Sequence, residues 1–405
     1  MVATHPRLAI VGAGPIGLDA ALAATERGWP FTIYEAGGGP GASVRAWGHV
    51  RMFTPWSMNV SPRMRARLGA AGTAVPSGEE CPRGQELAER LLGPVADLAE
   101  LRASLEVETR VVGIGRHGLL KHEEIATPAR AERPFRLLLS GPGGRQRVAQ
   151  ADVVIDCSGT YGHANSTGDA GIPAVGEQQL ETRIRRTVPH VAAEEQHWAG
   201  RRTLLVGGGH SAQTAAADLA ALGRRVAGTE VVWAVRAMEP TWGAVADDPL
   251  PERAALVEQT ERLAGGDDPS VRLVTGAVVE SFAERDGRLA VTLRNGSSEA
   301  VVVDQVLSLT GYVGDAELYR QLQVHECYAT AAPINLSAAL LGAAAGDCLG
   351  QESHGVDVLR NPEPNFFILG SKSYGRNSQF LLQVGWDQVD EVFGALDAEV
   401  GQGPG

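Results

Sequence analysis

Two short glycine-rich turns govern what this chain can become. Gly12-Ala13-Gly14-Pro15-Ile16-Gly17 follows the apolar run Arg7 to Val11, and Gly207-Gly208-Gly209-His210-Ser211-Ala212 follows the run Arg202 to Val206. After each comes an alanine-rich stretch of helical spacing, Leu18 to Arg27 in one case and on to Leu222 in the other. A further apolar run then follows, Phe31 to Glu35 or Val231 to Arg236. Strand, tight glycine turn, helix and second strand within about 30 residues make half of a nucleotide-binding parallel α/β sheet. The first glycine permits the sharp bend, the second lets the backbone approach a pyrophosphate, and the third lets helix and strand pack closely. The helix that starts there points unpaired amides and the positive end of its dipole at the phosphates. Recurrence after 195 residues makes this an internal repeat.

In the first unit Gly12, Gly14 and Gly17, with Pro15 and Ile16 between them, form the expected cradle. Glu35, followed by Ala36, ends the second strand, where a carboxylate accepts hydrogen bonds from ribose hydroxyls. The alternative is a purely structural turn; the flanking strand, helix and acid favour the cofactor. The second unit keeps Gly207, Gly208 and Gly209, adds His210 and Ser211, and puts Ala212 in the packing position. Its second strand ends in Arg236 instead of an acid. A guanidinium pairs with a 2′-phosphate that a carboxylate would repel, so NADPH is favoured and NADH is the second candidate. The plainer reading of Arg236 is a solvated strand end. His210 is expected to position the pyrophosphate, not to do chemistry.

The remaining pattern accommodates two domains in 405 residues. Gly37 to Pro82 is irregular, Gln85 to Leu105 has helical spacing, and Gly168 to Trp198 is a connector. Strands are expected at Leu105 to Ile114, Phe135 to Leu139, Val148 to Ile155 (running into Asp156-Cys157-Ser158-Gly159), Val271 to Leu273, Leu289 to Leu293, Gln305 to Leu309 (running into Thr310-Gly311-Tyr312) and Asn365 to Gly370. A net charge of −12 and a pI near 5.4 argue against nucleic acid and anionic membranes as partners. Cys81, Cys157, Cys327 and Cys348 are widely spaced and form no CxxC, which excludes a disulfide scaffold and a zinc ribbon; no metal site is expected. Cys157 reads as core; Cys327 and Cys348 could meet in space, but their separation gives no motif that marks a redox pair. His354 and Glu352 read as solvated. No uncharged apolar stretch reaches the roughly 18 to 20 residues that span a bilayer, so the cytoplasm is the default address.

Together, the two glycine turns, Glu35, the strand end DCSGTYG and the later SLTGY resemble the two-dinucleotide-binding-domain flavoproteins, closest to the flavin-containing, class B-like monooxygenase branch. The resemblance spans nearly the whole chain. It implies an α/β fold of two Rossmann-like domains of the three-layer ββα type: an FAD domain (1–165 and 310–405) with an inserted NAD(P)H domain (166–309). It also implies FAD at Gly12, Gly14, Gly17 and Glu35, with Val111 beside the adenine and Ser158 and Gly159 beside the flavin. Gly207, Gly209 and Ser211 would hold the NADP pyrophosphate, Thr310 and Gly311 the crossover, and Gly370 and Ser371 the ribityl chain, where the family often has Gly-Asp.

Two segments are candidates for flavin or substrate contact. Ser43 to Asn59 concentrates Arg45, Trp47, His49, Arg51, Phe53, Trp56 and Asn59, and Gly370 to Phe380 carries Lys372, Tyr374, Arg376 and Asn377. Aromatic rings stack on flat heterocycles and cations stabilise an electron-rich reduced flavin; a packed loop and a surface turn are the plainer readings. The implied activity is oxygenation of a small organic substrate at nitrogen, sulfur or a ketone through a flavin hydroperoxide, with molecular oxygen as co-substrate. The alternatives are an FAD-dependent NAD(P)H reductase without oxygen insertion and a catalytically silent redox sensor. The branch's FxGxxxHxxx(W/Y/F) fingerprint is incomplete: Arg183 to Ala193 reads RIRRTVPHVAA, with His190 but neither Phe nor Gly. Substrate and oligomeric state are left open.

Overall fold

The computed structural model describes residues 5–342 and 353–402. The chain folds as two compact units, 1–163 with 313–405, and 164–312.

In the first unit five parallel strands stand in the order Phe366–Ile368, Val153–Asp156, Leu8–Val11, Phe31–Tyr34, Leu105–Glu106. These strands are apolar at nearly every position because both faces of the sheet are covered. Leu8, Ile10, Val153, Ile155 and Phe367 point to one face, packed against Leu18 and Leu22 of the helix Pro15–Glu26 and Val389 and Phe393 of the helix Leu382–Gln402. Their alternating neighbours Ala9, Val11, Val154, Phe366 and Ile368 meet Ile114, Phe135, Leu137 and Leu139 of an antiparallel sheet, Arg110–Arg116, Phe135–Ser140 and Gln146–Ala151. Helices, parallel sheet and antiparallel sheet make three layers.

The second unit repeats the plan. Its parallel sheet runs Val271–Val274, Glu230–Ala234, Arg202–Val206, Gln305–Ser308, Ile184–Arg185. Leu204, Val206, Val232, Ala234 and Val306 pack on Val279, Leu289, Val291 and Val301 of the antiparallel strands Val278–Arg285, Arg288–Asn295 and Ser297–Val303. In both units the strand before the glycine turn is central and the chain's next strand lies on one side of it, so the turn sits where strand order reverses, the place where such sheets bind ligands.

Three local expectations need correction. Leu105 to Ile114 is two strands in different sheets, Leu105–Glu106 and Arg110–Arg116, because the chain bends at Glu108 (φ +50°) and the Thr109 hydroxyl closes the bend on the Val107 carbonyl. Val148 to Ile155 likewise breaks at Asp152 into Gln146–Ala151 and Val153–Asp156. Gln85 to Leu105 is not one helix: a wide turn at Ala88–Leu92 precedes Pro94, whose missing N–H breaks the regular ladder, and Leu98 is extended. Among the described residues no helix is long and apolar enough to cross a membrane. Cys327 is buried at the end of the strand Glu326–Cys327, whereas Cys348 and Glu352 lie outside the described residues.

Candidate nucleotide-binding sites

At the first turn the close packing is literal. Gly12 has φ +99°, and a Cβ there would stand 2.7 Å from the Cys157 carbonyl oxygen; one on Gly17 would stand 1.9 Å from the Gly12 carbonyl oxygen. Gly14 differs, with no atom within 4 Å of its missing Cβ. It also caps the helix Pro15–Glu26, which no side chain caps. A helix start with open space beside it fits a phosphate group. The turn is tied from behind. The Gly12 amide donates to the Tyr34 carbonyl (2.8 Å), and the Gly41 amide donates to the Ala13 carbonyl (2.9 Å).

Glu35 is buried and already holds the turn together: one carboxylate oxygen accepts from the Ala13 amide at 2.8 Å and the other from the Gly37 amide at 2.7 Å. A carboxylate has lone pairs to spare for a ribose. The Glu35 carbonyl accepts from the Thr109 amide, which anchors the start of the strand bearing Val111; Val111 itself faces the core between the two sheets. Ala36 is exposed beside it. On the other side of the turn Ser158 and Gly159 meet Gly370 and Ser371. The Leu369 amide donates to the Asp156 carbonyl (3.0 Å), the Ser371 hydroxyl lies 3.8 Å from where a Gly159 Cβ would be, and Ile16 packs on Gly370. Segments separated by more than 200 residues thus converge on Gly12–Gly17.

The second turn repeats the geometry. A Cβ on Gly207 (φ +131°) would stand 2.3 Å from the Leu309 carbonyl oxygen, while Gly209 has no atom within 4 Å and begins the helix His210–Gly223. Gly208, Gly209 and Ser211 are exposed. His210 is half-buried against Gly243, and burial, reinforced by the Arg253 charge, pulls its pKa down, so it stays neutral. Arg236 lies two residues past the strand Glu230–Ala234, exposed and in no ion pair among the described residues. At the crossover the Thr310 hydroxyl donates to the Asn165 carbonyl, and Gly311 follows it in the left-handed region.

The candidate catalytic side chains do not form one cluster. Arg45, Arg51 and Arg376 are exposed; Arg45 reaches the Ala88 carbonyl and Arg51 the Cys81 carbonyl. His49 is half-buried, and Trp47 lies against Gly84, where a Cβ would collide with its ring. Four others correct the expectation of flavin or substrate contact. Trp56 is core, with Arg90 over its ring. Asn59 is buried and saturated by its own loop, donating to the Thr54 and Pro55 carbonyls and accepting from the Thr54 hydroxyl. Tyr374 is buried against Phe380, its hydroxyl without a partner among the described residues and pushed by burial up to about 12. Lys372 is buried in an ion pair, its Nζ 2.6 Å from Asp156 Oδ2 and 3.1 Å from Ser158 Oγ. Buried charges need partners: Lys372 supplies the counter-charge at Asp156 Oδ2, while Oδ1 accepts from the Ser158 amide at 3.0 Å and hydroxyl at 2.6 Å. The pair ties the 370–374 turn to the Ser158 strand end.

Sequence reading missed two other buried groups. Asp19, on the helix after the first turn, accepts from Ser61 Oγ (2.5 Å) and Arg63 Nη1 (3.1 Å). Burial outweighs these bonds and pushes its pKa up to about 6. Because the folded value exceeds the unfolded one, Asp19's contribution to stability is fully present below pH ~4 and lost as pH rises through about 6, a swing of about 3 kcal/mol. We expect Asp19→Asn to lose stability relative to the wild type at pH 4 and to regain most of it by pH 7; parallel melting curves that keep their offset across that range would contradict this. The other group, Arg116 and Arg130 around Glu363, is buried in the same unit.

Known proteins give the context. The pyridine nucleotide-disulphide oxidoreductase family model matches residues 6–329. No curated protein matches the chain. Among solved structures, a bacillithiol disulfide reductase from Bacillus cereus is 17% identical over 98% of this chain and 99% of its own, with a TM-score of 0.67. An ornithine N-hydroxylase from Kutzneria, solved with reduced FAD, NADP+ and L-ornithine, is 14% identical over 98% and 99% with a TM-score of 0.65. A flavin monooxygenase from Stenotrophomonas maltophilia is 19% identical over 98% and 99% with a TM-score of 0.58. The match over most of its length, with a glycine turn opening a helix in each of two parallel sheets, makes this chain a two-dinucleotide-binding flavoprotein that belongs to the pyridine nucleotide-disulphide oxidoreductase family.

Proposed function

We propose that this protein is an NADPH-dependent FAD oxidoreductase that uses the reducing power of NADPH to oxygenate a small organic substrate with molecular oxygen. The observation that carries the two-nucleotide part of the reading is the pair of uncapped helix starts at Gly14 and Gly209, each with open space beside it; the oxygenation part rests on the resemblance of the motifs to the monooxygenase branch. FAD takes the first and NADPH the second. When bound, FAD supplies the hydride-accepting and oxygen chemistry that no side chain possesses. The protein's own residues position it. The Gly12–Gly17 turn and the helix dipole hold pyrophosphate, and Glu35 keeps the turn rigid while offering free lone pairs to the ribose. The Asp156–Lys372 pair sets Ser158, Gly159, Gly370 and Ser371 along the cofactor's length. In the other unit Gly207–Ser211 hold the second pyrophosphate and Arg236 takes the 2′-phosphate.

Purified protein should take up FAD, and NADPH should bleach the flavin absorbance without oxygen. A polypeptide that stays colourless and refuses added FAD overturns the reading. Arg236→Ala should raise KM for NADPH roughly 10- to 100-fold and leave NADH use unchanged, the worth of one charge-assisted phosphate contact. An unchanged preference between the two nucleotides refutes that role.

The incomplete fingerprint at Arg183–Ala193 favours a second reading, an NAD(P)H reductase without oxygen insertion. The first glycine turn does not favour a thiol route, since burial pushes the Cys157 thiol well above its ordinary pKa, away from the reactive thiolate. Oxygen-18 gas separates the readings. Label in an organic product supports oxygenation; label recovered only in hydrogen peroxide or water supports the reductase.

A further inference from the structure

A glycine turn binds phosphate only if its amides face outward, and glycine's freedom makes that orientation the least secure part of such a site. In the second turn two buried side chains remove the freedom. Gln213, three residues into the helix His210–Gly223, donates through Nε2 to the Gly208 carbonyl at 3.1 Å and to the Trp242 carbonyl at 2.9 Å. Its Oε1 accepts from the Thr260 hydroxyl at 3.3 Å, so both donors and the acceptor oxygen are engaged. The Trp233 indole N–H donates to the Gly207 carbonyl at 2.8 Å, and the Trp233 ring lies 4.9 Å from that of Trp242. A planar trans peptide points its N–H opposite its C=O. With the carbonyls of Gly207 and Gly208 held inward, the amides of Gly208 and Gly209 face away from the protein. The first turn achieves the same by another route, the Gly41 amide holding the Ala13 carbonyl and so turning the Gly14 amide outward.

We propose that Gln213 is a positioning residue for the dinucleotide pyrophosphate: it holds the Gly208 carbonyl and thereby fixes the outward direction of the Gly209 amide. The inference rests on the assignment of a nucleotide to the second turn. Gln213 never touches the ligand. It acts on a part shared by NADPH and NADH, so its removal weakens both equally, whereas removal of Arg236 separates them.

The test measures NADP+ and NAD+ dissociation constants on FAD-loaded protein by tryptophan fluorescence, with NADPH and NADH kinetics alongside. Gln213→Met, nearly isosteric and without a donor, should raise both dissociation constants and both KM values by a common factor of roughly tenfold. FAD content and kcat should stay at the wild-type level, because uniform binding alone is lost. Gln213→Glu should bind poorly at neutral pH and recover as pH falls and its carboxylic acid regains a donor, a pH profile that loss of packing would not produce. Wild-type affinity in both variants, or loss of one nucleotide only, overturns the proposal. A wild-type chain that binds neither NADP+ nor NAD+ removes the nucleotide assignment itself and this inference with it, an outcome distinct from variants that bind normally.

Discussion

Gly17→Ala is expected to yield a protein without bound FAD and with a weakened first unit. The added methyl would lie 1.9 Å from the Gly12 carbonyl oxygen, a separation no real contact sustains. The carbonyl is held in place, because the Ala13 amide of the same planar peptide donates to the buried Glu35 carboxylate at 2.8 Å. Helix and strand must part instead, and overpacking of that kind costs about 1–3 kcal/mol or more. Gly14→Ala is the informative partner. Its methyl meets nothing within 4 Å, so stability should be near wild type while the methyl occupies space the pyrophosphate needs. The ratio of flavin to protein absorbance, read with a melting curve, separates the two. If Gly14→Ala holds FAD as tightly as the wild type, the pyrophosphate does not lie there.

Glu363→Ala should be the most damaging single substitution outside the glycine turns. Its carboxylate is buried and accepts from Arg116 Nε at 2.6 Å, from Arg130 Nη2 at 2.8 Å and from the Gln323 amide at 2.8 Å. Arg116 is also stacked on Phe135, 3.6 Å from the ring centroid. Two buried guanidinia share this one carboxylate, and both are stranded when it goes. Breaking a buried pair from one side costs about 3–5 kcal/mol, a large part of the 5–15 kcal/mol that holds a typical domain together. A fall in melting temperature of roughly 10 °C, or loss of soluble protein, is expected. Glu363→Gln keeps the shape and two acceptor lone pairs and should fall between. A melting temperature within a degree or two of the wild type would show that the cluster holds nothing together.

How much of this was legible in the sequence follows from how local each constraint is. The two turns are dictated by backbone sterics among residues a few positions apart, so GAGPIG and GGGHSA announce themselves. The parallel strands do so too, as short continuous apolar runs. Boundaries failed where one side chain bends the chain, as at Thr109. The buried ion pairs were hidden for a different reason. Asp156 and Lys372 stand 216 residues apart, and Glu363 meets partners 233 and 247 residues away. No spacing rule spans such distances. A signal did exist: an acid at the end of VVID, and a lysine amid Gly, Ser and Tyr after an apolar strand, each imply a hidden partner. Aromatic density misled at Trp56 and Tyr374, because large rings fill cores as readily as they face ligands.

The strand Phe366–Ile368 and Lys372 impose an order on synthesis. A ribosome delivers residues 1–163 long before the segment that pairs with Val153–Asp156 and neutralises Asp156. Until then the emerging chain carries an unfinished sheet margin, an uncompensated inward-facing acid and an apolar surface awaiting Val389 and Phe393. Flavin capture is therefore expected only of the released polypeptide, after the intervening unit has been made. Chains stopped before residue 366 should collect as chaperone-bound or insoluble material, however faithfully they preserve the first glycine turn.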